Sequence, residues 1–143
     1  MPDIDLPDLS ATEALAALLA ARVRPGDAIL LQGPLGAGKT AFARAFLRAV
    51  TQNSTLDVPS PSYTLVQTYE TPLGPIHHFD LWRLDGPGAV VELGWDELTS
   101  DIVLVEWPER LGDLRPEGAL AITLSSTGEH SRTATLSGWE NRA

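Results

Sequence analysis

The run Gly33-Pro34-Leu35-Gly36-Ala37-Gly38-Lys39-Thr40 fits G-x-x-x-x-G-K-T without a gap, and it fixes the order of the elements around it. A strand must deliver the chain to such a loop and a helix must carry it away, because the loop's amide N–H groups converge with a helix N-terminus on one anion. The flanks comply. Asp27-Ala28-Ile29-Leu30-Leu31-Gln32 reads as a short buried strand, and Phe42, Ala45, Phe46 and Ala49 mark a helix just after the loop. Gly33, Gly36 and Gly38 can take φ values closed to other residues, so successive N–H groups can face phosphate oxygens. This predicts nucleotide binding by Gly33, Leu35, Gly36, Ala37, Gly38, Lys39 and Thr40. Lys39 lies against the β- and γ-phosphates, and the Thr40 hydroxyl is a ligand to Mg2+. Lys39 is also the only lysine among ten basic residues. A chain that otherwise uses arginine keeps, at this one position, the compact ammonium that a planar guanidinium does not replace.

Composition bounds the rest. A chain of 143 residues with 43% apolar content supports one α/β core, read as one domain over residues 1–143. A formal charge of -9 and a pI near 4.6 argue against a broad basic face for DNA, RNA or an anionic membrane. The absence of cysteine excludes disulfides, cysteine-held zinc, iron–sulfur clusters and thiol chemistry. The acidic, proline-punctuated start carries neither a positive segment nor an apolar one of the secretory type, so the expected address is cytoplasmic.

Elsewhere the pattern predicts a mixed sheet flanked by helices and closed by an antiparallel C-terminal hairpin. Ser10-Ala11-Thr12-Glu13 has capping-box spacing and opens a first helix to about Arg22. Two prolines in Pro59-Ser60-Pro61-Ser62 forbid regular helix and make a loop. A hairpin follows, with strands over residues 63–69 and 76–80, and then a helix over residues 89–98. Ile102-Val103-Leu104-Val105 is a run suited to a strand covered on both faces. Residues 120–124 and 132–136 form the closing hairpin around Ser126-Thr127-Gly128.

Phosphoryl chemistry needs a second magnesium-side carboxylate, and Glu106 fits best, delivered by that buried strand to the carboxyl edge of the sheet. Asp80 is the rival, able to hold a metal-bound water or orient an attacking one, or else a solvated turn acid. Ser60, Ser62 and Thr64 either sense a γ-phosphate or satisfy local backbone donors. Trp107 packs either on a nucleotide or on the core. His77 and His78, being adjacent on a strand, face opposite ways and are treated as structural. Glu92, Asp96 and Glu97 read as a solvated helix face.

Taken together, the loop, Ser60-Pro61-Ser62-Tyr63-Thr64-Leu65, His78-Phe79-Asp80-Leu81-Trp82-Arg83-Leu84, Glu92-Leu93-Gly94 and Glu106-Trp107-Pro108-Glu109 resemble the TsaE family of bacterial tRNA threonylcarbamoyladenosine synthesis. The resemblance covers about residues 10–136. It implies a P-loop NTPase domain that hydrolyses ATP and works with the TsaD and TsaB proteins, which carry the tRNA and perform the threonylcarbamoyl transfer. By position it implies that Thr40 and Glu106 hold Mg2+, that Asp80 assists hydrolysis, that Ser60, Ser62 and Thr64 form a switch loop, and that Trp107 lies beside the nucleotide. Two departures stand out: Ser62 where the family usually has threonine, and Trp82 where it usually has tyrosine. The alternatives are a small-molecule kinase, with Asp80 as base and Arg110 and Arg115 closing over phosphates, and a nucleotide-dependent binding module with incidental turnover.

Overall fold

In the computed structural model the described residues are 3–34, 36–61 and 64–139. Leu35 and Ser62 lie outside them. Seven strands form one sheet in the order β1-β7-β6-β2-β5-β4-β3, where β1 is Asp3–Leu6, β2 Ala28–Gln32, β3 Val66–Thr71, β4 Gly74–Asp80, β5 Ile102–Glu106, β6 Leu120–Ser126 and β7 Arg132–Ser137. The four central strands β6, β2, β5 and β4 run parallel, and antiparallel partners close both sides, β7 with β1 and β3.

Parallel strands need both faces covered, which is why β2 and β5 are nearly continuous aliphatic runs. On one face lie α1 (Leu9–Ala20) and α2 (Lys39–Thr51), packed through Phe42, Phe46 and Leu47 onto Ile29, Leu31, Ile76, Ile102 and Leu104. The other face is covered by α3 (Pro87–Val91), α4 (Trp95–Leu98) and a 3-10 segment (Pro108–Leu114), which bury Leu30, Phe79, Val103 and Val105. Strand period two therefore sorts the side chains: residues 76, 78 and 80 of β4 and 102, 104 and 106 of β5 share the α1/α2 face.

The local expectations need several corrections. The N-cap of α1 is Asp8, whose extended backbone (φ -154) and carboxylate receive the Ala11 N–H at 3.0 Å. Ser10, expected to cap, lies within the first turn, and the helix ends at Ala20 rather than Arg22. In α2 the residues buried beside Phe42 and Phe46 are Ala43, Leu47 and Val50, with Ala45 and Ala49 only partly covered. The helix expected over residues 89–98 is two short helices, broken where Gly94 turns left-handed at φ 88. Strand β3 starts at Val66, because Leu65 takes φ 71 and its N–H closes a turn onto the Pro61 carbonyl at 2.7 Å. Strand β1 and the 3-10 segment had no counterpart in the sequence reading.

Replacing Asp8 with alanine should cost about 1 kcal/mol of unfolding free energy in urea titration. A Ser10→Ala change should stay within about 0.5 kcal/mol. The opposite ranking would return the cap to Ser10.

Candidate functional site

The register of the parallel strands gathers the chemistry at one edge. Leu31 pairs with Glu106 and Asp80 pairs with Glu106, so the glycine loop leaving β2 and the carboxylates ending β5 and β4 stand side by side. The loop's shape needs its glycines. Gly33 sits at φ 147, where an added Cβ would lie 2.5 Å from the Leu124 carbonyl oxygen, and Gly38 at φ 101 turns the chain into α2.

Thr40, in the first turn of α2, donates its hydroxyl to Glu106, with Oγ1 2.9 Å from Oε1 and 3.1 Å from Oε2. Glu106 is 2% exposed. Lys39, 5% exposed, folds back on its own loop, where its ammonium donates to the Gly33 carbonyl and, at 3.4 Å, to that of Pro34. The same ammonium stands 3.5 Å from the ring centroid of Trp107, a cation–π contact. Trp107 holds φ 61 and ψ 54, a conformation uncommon for a bulky residue, and it projects beside Trp82 with ring centroids 4.4 Å apart. Asp80 is buried; its Oδ1 accepts the Trp82 N–H at 3.1 Å and its Oδ2 faces the Ser60 hydroxyl at 3.4 Å. Gly36, Gly38, Lys39, Thr40, Ser60, Asp80, Trp82, Glu106 and Trp107 line a single cleft of about 290 Å3.

The structure thus brings together Lys39, Thr40, Ser60, Asp80, Glu106 and Trp107. Thr64 instead accepts from the Gln67 amide at 3.0 Å and does not line the cleft. Leu35 and Ser62 were named as site residues but fall outside the described residues. Arg110 reaches the Trp82 carbonyl and Arg115 the Gln32 amide oxygen, each at 3.4 Å, and neither lines the cleft.

Two contributors go beyond the expected site residues: His78, expected to be structural, and Arg132, for which no role was expected from the sequence. His78, fully buried, places Nε2 2.6 Å from Glu106 Oε2. The signal was available, because His78 and Asp80 are two apart on one strand and therefore share a face. Arg132, at the start of β7, donates to the carbonyls of Ala37 at 3.1 Å and Gly36 at 3.3 Å, holding the outer side of the loop. These partners are 95 and 96 residues away, beyond the reach of any local pattern. His77 points the other way, to Thr68 and to Asp101, each at 2.9 Å, and ties β3, β4 and the start of β5 together.

Such a sheet, with a glycine loop joining a central parallel strand to a helix and an antiparallel hairpin closing the C-terminal side, is the P-loop NTPase fold. Residues 6–134 match the family model of the threonylcarbamoyl adenosine biosynthesis protein TsaE. The chain is 37% identical over 126 residues to the tRNA threonylcarbamoyladenosine biosynthesis protein TsaE of Rickettsia felis, covering 87% of this chain and 73% of that one. It is 34% identical over 133 residues to the protein of that name from Bacillus subtilis, covering 92% and 82%. The crystal structure of Bacillus subtilis YdiB superposes with a TM-score of 0.79 at 30% identity, over 98% of this chain and 86% of that one. The chain belongs to the TsaE family, and its role lies in tRNA threonylcarbamoyladenosine biosynthesis.

Burial holds the Lys39 ammonium below its ordinary value of 10.5, opposed by the negative charges of Glu106, Glu109 and Asp80. With 13C-lysine incorporated, the single side-chain signal should titrate below 10.5. Glu106→Gln removes an opposing negative charge, so the midpoint should fall further. A rise in that variant would contradict the assignment.

Proposed function

We propose that this chain binds ATP with Mg2+ at the residue 33–40 loop and hydrolyses it in support of threonylcarbamoyl transfer to tRNA. The observation that carries the reading is the Thr40 hydroxyl against the Glu106 carboxylate at the mouth of the loop, with Lys39 alongside. Both are hard oxygen donors at the end of a parallel sheet, and this donor set fits Mg2+. When bound, the ion neutralises charge developing between the β- and γ-phosphates.

In this reading the amides of Gly33, Leu35, Gly36, Ala37 and Gly38 cradle phosphate, and Lys39 exchanges the Gly33 carbonyl and the Trp107 face for phosphate oxygens. Thr40 and Glu106 hold the metal. Asp80, oriented by the Trp82 amide, accepts a proton from the attacking water, and its neighbour Ser60 links that step to the loop formed with Ser62 and Thr64. The Trp82–Trp107 pair forms one wall of the cleft. On the other side of the loop a cavity of about 190 Å3, lined by Leu9, Thr12, Ala41, Leu124, His130 and Arg132 among others, is suited to the nucleoside.

We read the chain as one cytoplasmic domain whose partners are TsaD and TsaB, with tRNA engaged through them. The charge of -9 supports an indirect contact with RNA. No described helix is long and apolar enough to cross a membrane. The kinase alternative loses support from the placement of Arg110 and Arg115 outside the cleft.

The test is multiple-turnover tRNA modification with purified partners and ATP. Lys39→Ala and Glu106→Gln should each lose roughly 100-fold or more, with free phosphate as the released product in the unaltered protein. Full modification by Glu106→Gln would establish a binding module instead, and label transfer from the γ-phosphate to a metabolite would establish a kinase.

A further inference from the structure

The α1/α2 face of β4 and β5 is an apolar stripe through Ile76, Ile102 and Leu104, and His78 interrupts it. His78 pairs across with Leu104 in the strand register and is 0% exposed. Its Nε2 lies 2.6 Å from Glu106 Oε2, while its Nδ1, equally buried, has no hydrogen-bond partner among the described residues. An imidazole buried with one nitrogen unpartnered is a costly way to fill a stripe that leucine or isoleucine fills elsewhere. Packing therefore does not account for it. The hydrogen bond to Glu106 does.

Glu106 has two carboxylate oxygens, and Thr40 approaches both at 2.9 and 3.1 Å. A hydroxyl on a helix turn can follow the carboxylate as it rotates about its last bond; a ring fully buried on the sheet face cannot. The geometry points to His78 as a positioning residue. Its Nε2–H pins Oε2, which fixes the plane of the Glu106 carboxylate and keeps Oε1 toward Thr40 and the cleft in the orientation that receives Mg2+. His78 touches neither nucleotide nor metal and acts only through Glu106. The inference rests on the reading of Glu106 as the magnesium-side carboxylate.

The experiment measures nucleotide affinity by calorimetry in excess EDTA and across a Mg2+ titration, with thermal unfolding recorded for each protein. His78→Leu removes the donor and continues the stripe, whereas His78→Gln offers an N–H at similar reach. Loss of a residue that orients a metal-binding group costs about 10- to 100-fold in metal affinity. The Mg2+ concentration for half-saturation should therefore rise about tenfold or more in His78→Leu and return most of the way in His78→Gln. Affinity in EDTA should stay within about twofold and the unfolding temperature should not fall, because a buried unpaired nitrogen is gone. The double variant His78→Leu with Glu106→Gln should be no worse than Glu106→Gln alone. Wild-type Mg2+ dependence in both His78 variants, or additive losses in the double variant, overturns the proposal. If Glu106→Gln itself leaves the Mg2+ dependence unchanged, it is the reading of Glu106 that fails. Should His78→Leu not fold, His78→Met, which likewise offers no donor to Glu106, takes its place in the comparison with the same rise in half-saturation expected.

Discussion

Strand β2 pairs in parallel with β5, and β5 with β4, and from this pairing the arrangement of the site follows. The register sets Leu31 and Asp80 opposite Glu106, so the glycine loop and two carboxylates reach one edge of the sheet together. A slip of one residue would turn Glu106 and Asp80 to the opposite face, away from α2 and Thr40. The aliphatic runs of β2 and β5 hold the register because Ala28 to Leu31 and all of β5 are buried and a slip would displace them. The core and the site are thus specified by the same pairing.

What was legible in the sequence is what is local. The glycine loop with its strand and helix could be read because each part is adjacent to the next, and the run before Glu106 announced a strand end at the carboxyl edge. The helix expected over residues 89–98 is split because Gly94, inside that span, takes a left-handed conformation at φ 88 that a regular helix does not hold. Strand β1 was missed because four residues with two aspartates become a strand only by pairing with β7 at the far end of the chain. Arg132 was invisible for the same reason. The two histidines show the limit more finely. Opposite facing was foreseen from strand geometry, yet the consequence, that His78 looks where Asp80 looks, needed the register with β5 to become a contact with Glu106.

The loop's cation and hydroxyl are partnered by the protein itself. Lys39 rests on carbonyls and on the Trp107 ring, and Thr40 rests on Glu106. In the proposed reading, phosphate and metal replace these contacts. The Thr40–Glu106 contact joins the start of α2 to the end of β5. In the proposed division of labour, this chain turns the γ-phosphate into movement of the Ser60 loop, and its partners handle the RNA.

In the proposed reading Thr40 and Glu106 together hold the metal. The most direct measurement is calorimetric ATP binding with and without Mg2+ for Thr40→Val, which keeps the branched shape and removes only the hydroxyl. Affinity in EDTA should stay within about twofold while the gain contributed by Mg2+ drops about tenfold or more. A valine protein that keeps the full Mg2+ gain would contradict it.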